Sequence, residues 1–167
     1  MNIFLVGFMG SGKSTLGKEL ALALGYRFLD TDDEIQSLEN MSISEIFDKK
    51  GEVYFRNLES EVIRSIVDEN LVISTGGGTP CFYNNMSFMK KNGKVIWLQV
   101  STDILVTRLD GDKNRPLLQQ EPDYKLFDYI ENKLQQREKC YKKADFVVNN
   151  DADHSHAISK ILSFFYQ

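Results

Sequence analysis

Gly7-Phe8-Met9-Gly10-Ser11-Gly12-Lys13-Ser14 fills every fixed position of G-x-x-x-x-G-K-[ST]. Glycines in that run let backbone N–H groups turn inward around phosphate oxygens, and the helix N-terminus that follows adds partial positive charge. Gly10, Ser11 and Gly12 are therefore expected to cradle a nucleoside triphosphate. Lys13 would bridge its β- and γ-phosphates, the Ser14 hydroxyl would reach Mg²⁺, and Thr15 would touch the α-phosphate. A second glycine cluster, Gly76-Gly77-Gly78 in "VISTGGGTP", calls for a second ligand that the backbone approaches closely. "FLDTD" supplies Asp30 and Asp32, which alternate on the second strand, so both can point to the same side of the sheet. One can then organise Mg²⁺ through water while the other accepts a hydrogen bond from a substrate hydroxyl. Arg56 has Glu59 three residues on, in position to hold its guanidinium. Arg137 interrupts the stripe Phe127, Ile130, Leu134, Tyr141 where a core residue belongs, so it must meet a carboxylate, a phosphate or a wet cleft.

These groups need a scaffold that brings them to one edge. "IFLVG" (3–7), "YRFLDTD" (26–32), "LVIST" (71–75), "KVIWLQV" (94–100) and "DFVVNN" (145–150) read as buried strands. Helices are expected at 13–24, with Leu16, Leu20, Ala23 and Leu24 inward and Gly25 as the stop, and at 82–91, 102–110, 123–143 and 154–165. "SISE" (42–45) is a capping box opening a short helix, and Gly51 divides that helix from a longer one over 52–69. β-α repeated five times with apolar strands predicts an α/β fold, a parallel sheet covered on both faces with ligands at the strands' carboxyl ends. The glycine loop, "DTD", the triple glycine and the "NND" after the last strand all fall there.

The 167 residues suit one domain, and a formal charge of -4 argues against a nonspecific nucleic-acid binder. Cys81 and Cys140 lie in no ligand pattern and read as reduced thiols of a cytoplasmic protein. "MNIFLV" lacks a basic n-region and a cleavage site, so it reads as a first strand, and no apolar run has the roughly 20 residues that span a bilayer. No membrane partner is expected. His154 and His156 are expected in solvent, and Trp97 in the core.

"GFMGSGKST", "FLDTD", "IFDKKGEVYFRNLE", "VISTGGGTP", "NRPLL" and "REKCY", in that order along essentially the whole chain, resemble shikimate kinase. The Gly51–Glu59 and Thr75–Gly78 segments are the restrictive ones. The resemblance implies a P-loop, nucleoside-monophosphate-kinase-like fold over 1–167, with five parallel strands in order 2-3-1-4-5. It implies ATP- and Mg²⁺-dependent phosphorylation of the shikimate 3-hydroxyl, a step towards chorismate and the aromatic amino acids, by a monomer. It also implies a shikimate-binding helical region at about 33–61 and a lid at about 110–122. Arg56 and Arg137 would clamp the shikimate carboxylate, and Asp32 would bind its hydroxyls. Gly77 and Gly78 would turn N–H groups to the ring, and Asp30 would hold the water shell of Mg²⁺. Arg115 in the lid would reach the transferring phosphoryl group, and Arg108 would stack on adenine opposite the 149–153 turn. Lys13, Asp32 and Arg115 would then be the catalytic set.

Two rival readings use the same donor site. A gluconate-kinase-like enzyme would share the P-loop and lid but does not call for paired arginines with a triple glycine. A noncatalytic nucleotide-binding module would be expected to lose Lys13, the "DTD" acids or the lid arginine, and none is lost.

Overall fold

The computed structural model describes residues 1–110 and 126–165. Five parallel strands, β1 (Asn2–Val6), β2 (Arg27–Asp30), β3 (Leu71–Ser74), β4 (Gly93–Gln99) and β5 (Phe146–Asn149), form one sheet in order β2-β3-β1-β4-β5. The order is the expected one. β1 pairs with both neighbours along its length (Leu5 opposite Ser74 and Ile96), and β4 carries β5 with Gln99 opposite Asn149. Strand ends therefore align at one edge.

Successive side chains on a strand face opposite sides, and the cores follow that rule. Ile3, Leu5, Val72, Ile96, Leu98 and Val148 pack against α1 (Lys13–Leu24) and α7 (His154–Phe165). Phe4, Val6, Leu71, Ile73, Val95 and Trp97 face α3 (Ile43–Ser65), α4 (Asn85–Asn92) and α6 (Leu126–Tyr141). Trp97 is in the core, as expected. Both cysteines are free thiols. Among the described residues no helix is long and apolar enough to cross a membrane.

Three expectations need correcting. "FLDTD" is not extended throughout, because β2 stops at Asp30, which caps α2 (Thr31–Glu39) by accepting from the Asp32 N–H at 3.0 Å. Asp30 and Asp32 are thus a cap and a first-turn residue rather than alternating strand positions. On α1 the inward face is Leu16, Gly17, Leu20 and Ala21, and Ala23 is exposed. On α6 Leu126 is buried and Phe127 is 43% exposed, so the apolar stripe begins one residue earlier than expected. A helix start is where a 3.6-residue period is least constrained.

On α3 the capping box and the break at Gly51 stand as expected, and the helix ends at Ser65 rather than 69. Ser42 Oγ accepts from the Glu45 N–H at 3.3 Å, while Glu45 Oε2 accepts from the Ser42 N–H at 2.9 Å, which closes the capping box. Gly51 at φ 81, ψ 169 kinks the helix, a conformation that a side chain resists. Ser42→Ala is expected to cost about 1 kcal/mol in urea unfolding with an unchanged m-value, and no shift in midpoint would show the cap to be idle.

Candidate active site

At the carboxyl edge a cleft of about 360 Å³ is lined by Gly10, Gly12, Lys13, Ser14, Thr15, Asp30, Asp32, Ser74, Gly77 and Arg108, among others. Residues from the β1 loop, α2, the end of β3 and α5 (Thr102–Leu109) meet there, as the alignment of strand ends requires. Lys13 is 8% exposed, and its ammonium donates to the carbonyls of Gly7 (3.0 Å) and Phe8 (2.9 Å). Its charge is thereby held inside the loop. Gly12 caps α1 at φ 88, and a Cβ there would lie 2.8 Å from Asn150 Nδ2. That nitrogen donates to the Ser11 carbonyl at 2.8 Å, tying the β5–α7 turn to the phosphate loop. Ser11 itself is buried in the loop.

The Ser14 hydroxyl donates to Asp30 Oδ2 at 2.5 Å and lies 3.2 Å from Ser74 Oγ. Hydroxyl and carboxylate oxygens beside a phosphate loop suit Mg²⁺, which keeps most of its water and takes few protein ligands. No group of three or more His, Cys, Asp or Glu side chains that could cage a metal occurs among the described residues.

Arg108 donates to the carbonyls of Gly10 (3.3 Å), Asn150 (2.8 Å) and Asp151 (3.3 Å). It staples the P-loop to the β5–α7 turn while lining the cleft. His154 lines the cleft as well, half-buried, and its Nε2 would lie 3.2 Å from a Cβ on Gly12. The expectation that it stands in solvent is corrected. Only the long-range folding of the turn onto the P-loop brings it there, and no local signal announces that. His156 is exposed.

On the other side of the cleft, Arg56 is 5% exposed and donates to Glu59 (2.7 Å) and Glu52 (3.0 Å). The guanidinium carbon lies 4.6 Å from the centroid of the Phe82 ring. Glu59 is fully buried, and burial pushes its carboxyl up from the ordinary value against the lowering effect of Arg56 and of the Thr79 hydroxyl bonded to it. The triple glycine fits around this pair. A Cβ on Gly78 would lie 2.5 Å from Arg56 Nη1, and one on Gly76 would collide with Glu59 Oε1. Gly77 lies closest to the P-loop, where a Cβ would be 3.3 Å from the Met9 nitrogen and 3.4 Å from Arg137 Nη1. Part of the space these glycines leave is thus filled by the protein's own ion pair.

Arg137 lies 5.4 Å from the Phe8 ring, and its buried Nη1 has no hydrogen-bond partner among the described residues. A buried guanidinium nitrogen without a partner is costly unless an anion or water meets it. Arg56, Gly78 and Arg137 are not among the residues lining the cleft itself, and they border it through Gly77. Arg115 and most of the 110–122 lid segment lie outside the described residues. The sequence reading missed Ser74, His154 and the role of Asn150 as a tie.

Known proteins resemble this chain in both sequence and fold. The family model for shikimate kinase matches residues 9–165. A shikimate kinase of Sulfurihydrogenibium sp. (strain YO3AOP1) is 48% identical over 151 residues, 90% of this chain and 88% of that protein. The crystal structure of shikimate kinase from Bacteroides thetaiotaomicron superposes with a TM-score of 0.94 at 38% identity, over 100% of this chain and 99% of the other. Shikimate kinase from Acinetobacter baumannii, solved in complex with shikimate, gives a TM-score of 0.92 at 36% identity, over 98% and 92%. The chain belongs to the shikimate kinase family.

Proposed function

We propose that the chain transfers the γ-phosphoryl group of ATP to the 3-hydroxyl of shikimate, giving shikimate 3-phosphate and ADP. The observation that carries the acceptor assignment is the convergence of Arg56 and Arg137 on the Gly77–Gly78 backbone. Two guanidinium groups against adjacent residues of one glycine strip match a carboxylate, which gluconate also has, but the closely packed glycine backbone favours a compact ring.

The P-loop amides of Gly10, Ser11 and Gly12 would hold the phosphates, with Thr15 at the α-phosphate and Arg108 beside the base. Lys13 would leave the loop carbonyls for the β- and γ-phosphate oxygens. Ser14, and Asp30 through water, would hold Mg²⁺, which when bound draws charge away from the transferring phosphoryl group. Asp32 would orient the attacking hydroxyl, and Arg115 would reach the γ-phosphoryl oxygens from the 110–122 lid. The oxygen of the 3-hydroxyl forms the new P–O bond as the bond to the ADP oxygen breaks, and the hydroxyl proton leaves to Asp32 or solvent. Cytoplasmic location and a monomeric state complete the reading, with residues 33–61 as the acceptor-side helices of a single domain.

ADP release measured with Mg·ATP and shikimate, gluconate or no acceptor tests this. Shikimate-dependent release is expected, with Arg137→Ala raising KM for shikimate about a hundredfold, the loss of a charge-assisted contact or two. KM for ATP should stay near the wild-type value. Release with gluconate in place of shikimate would overturn the acceptor assignment.

A further inference from the structure

The three carbonyls of the glycine strip are all engaged. Gly76 O accepts from the Thr79 N–H at 3.1 Å and Gly78 O from the Cys81 N–H at 2.9 Å, both bonds of the tight 3-10 turn Thr79–Cys81. Gly77 O accepts instead from the Tyr141 hydroxyl at 2.5 Å, a bond reaching 64 residues along the chain. Among the described residues neither the Gly77 nor the Gly78 N–H donates to a protein group.

A trans peptide sets C=O and the following N–H on opposite sides, and the described residues include no cis peptide. Anchoring the Gly77 carbonyl on the Tyr141 side therefore turns the Gly78 N–H away from it. Tyr141 is fully buried and its ring packs on Trp97, centroids 5.6 Å apart, so the anchor is rigid. It follows Arg137 by four residues, on the same face of α6, and the Arg137 guanidinium adjoins its phenol. Burial pushes the phenol pKa up, which keeps the hydroxyl a donor at any physiological pH.

We infer that Tyr141 is a positioning residue for the acceptor: by holding the Gly77 carbonyl beside Arg137, it fixes the direction in which the Gly78 N–H meets the substrate ring. The inference rests on the acceptor assignment above. Tyr141 is fully buried and does not line the cleft. Its effect passes through one peptide plane and one guanidinium.

Steady-state kinetics of Tyr141→Phe, which removes only the hydroxyl, tests it beside Met89→Ala, which loosens the same core without touching that bond. Tyr141→Phe is expected to raise KM for shikimate about tenfold, with KM for ATP within about twofold and kcat within about threefold of wild type. Met89→Ala should unfold at lower urea with both KM values unchanged. A KM for shikimate within twofold of wild type in Tyr141→Phe, or an equal rise in both variants, overturns the inference. Wild-type protein that releases no ADP in response to shikimate would instead overturn the acceptor assignment, and this is seen before any variant is measured.

Discussion

Lys13→Met is expected to bring kcat down about 10³-fold while the protein stays folded and still binds ADP. The number follows from what a single preorganised positive contact to developing charge is worth in a site that excludes water. Methionine keeps the length and apolar stem of lysine, so the packing around the stem changes little. Two losses follow. The γ-phosphoryl group loses a cation that would otherwise move with its charge, and the Gly7 and Phe8 carbonyls lose the donor that holds the loop closed. The second loss should lower the unfolding midpoint by a few degrees, as about 1 kcal/mol would in a domain of this size. The two effects are separable. Single-turnover phosphoryl transfer reads the first and thermal unfolding the second. A kcat within tenfold of wild type at saturating Mg·ATP and shikimate would remove Lys13 from the transfer step.

Which parts of this site the sequence made legible depends on the range of the forces that built them. The P-loop, the capping box at Ser42 and the Gly51 kink are written in residues a few positions apart, and each stands where its motif puts it. Arg137 was legible because it breaks an apolar period, a local signal with a long-range meaning. The α2 start is local too, but its residues read two ways. Asp30 ahead of Asp33 and Glu34, with Asn40 in the left-handed conformation at the far end, is a helix cap pattern that the i, i+2 acids of "FLDTD" made look extended. His154, Asn150 and Tyr141 form another class. Their contacts to Gly12, Ser11 and Gly77 span from 64 to 139 residues where a hydrogen bond joins them, and nothing in their own neighbourhood specifies the partner. The sheet order places them, by returning β5 beside β4 and laying α6 over β4 and the glycine strip.

Glu59→Ala and Glu59→Gln should part company, and the difference measures what the buried ion pair does. Arg56 is 5% exposed and Glu59 fully buried, while the other partner of Arg56, Glu52, is 56% exposed and screened. Removing the Glu59 carboxylate with its stem leaves a buried guanidinium short of a counter-charge, orphans the Thr79 hydroxyl and opens a void. Such a truncation costs about 3–5 kcal/mol. Glutamine keeps the volume and one acceptor oxygen. Burial raises the carboxyl above its ordinary value of 4.5, so the charged form is less favourable in the folded protein than in the unfolded chain. A raised carboxyl contributes stability below its unfolded pKa and loses that contribution as pH rises through the folded value. Wild-type stability should therefore decline relative to Glu59→Gln as pH rises from 4.5, and at neutral pH the glutamine variant should be within about 1 kcal/mol of wild type or above it. Function should move the other way. Without the full charge that fixes its Nη1 beside Gly78, Arg56 meets the acceptor less well, and KM for shikimate is expected to rise about tenfold in the glutamine variant. Urea unfolding across pH together with KM for shikimate gives both halves. A glutamine variant several kcal/mol less stable at neutral pH would show that attraction outweighs desolvation in this pair. One with unchanged KM would show that Arg56 needs no buried carboxylate to do its work, and that Glu59 serves the fold alone.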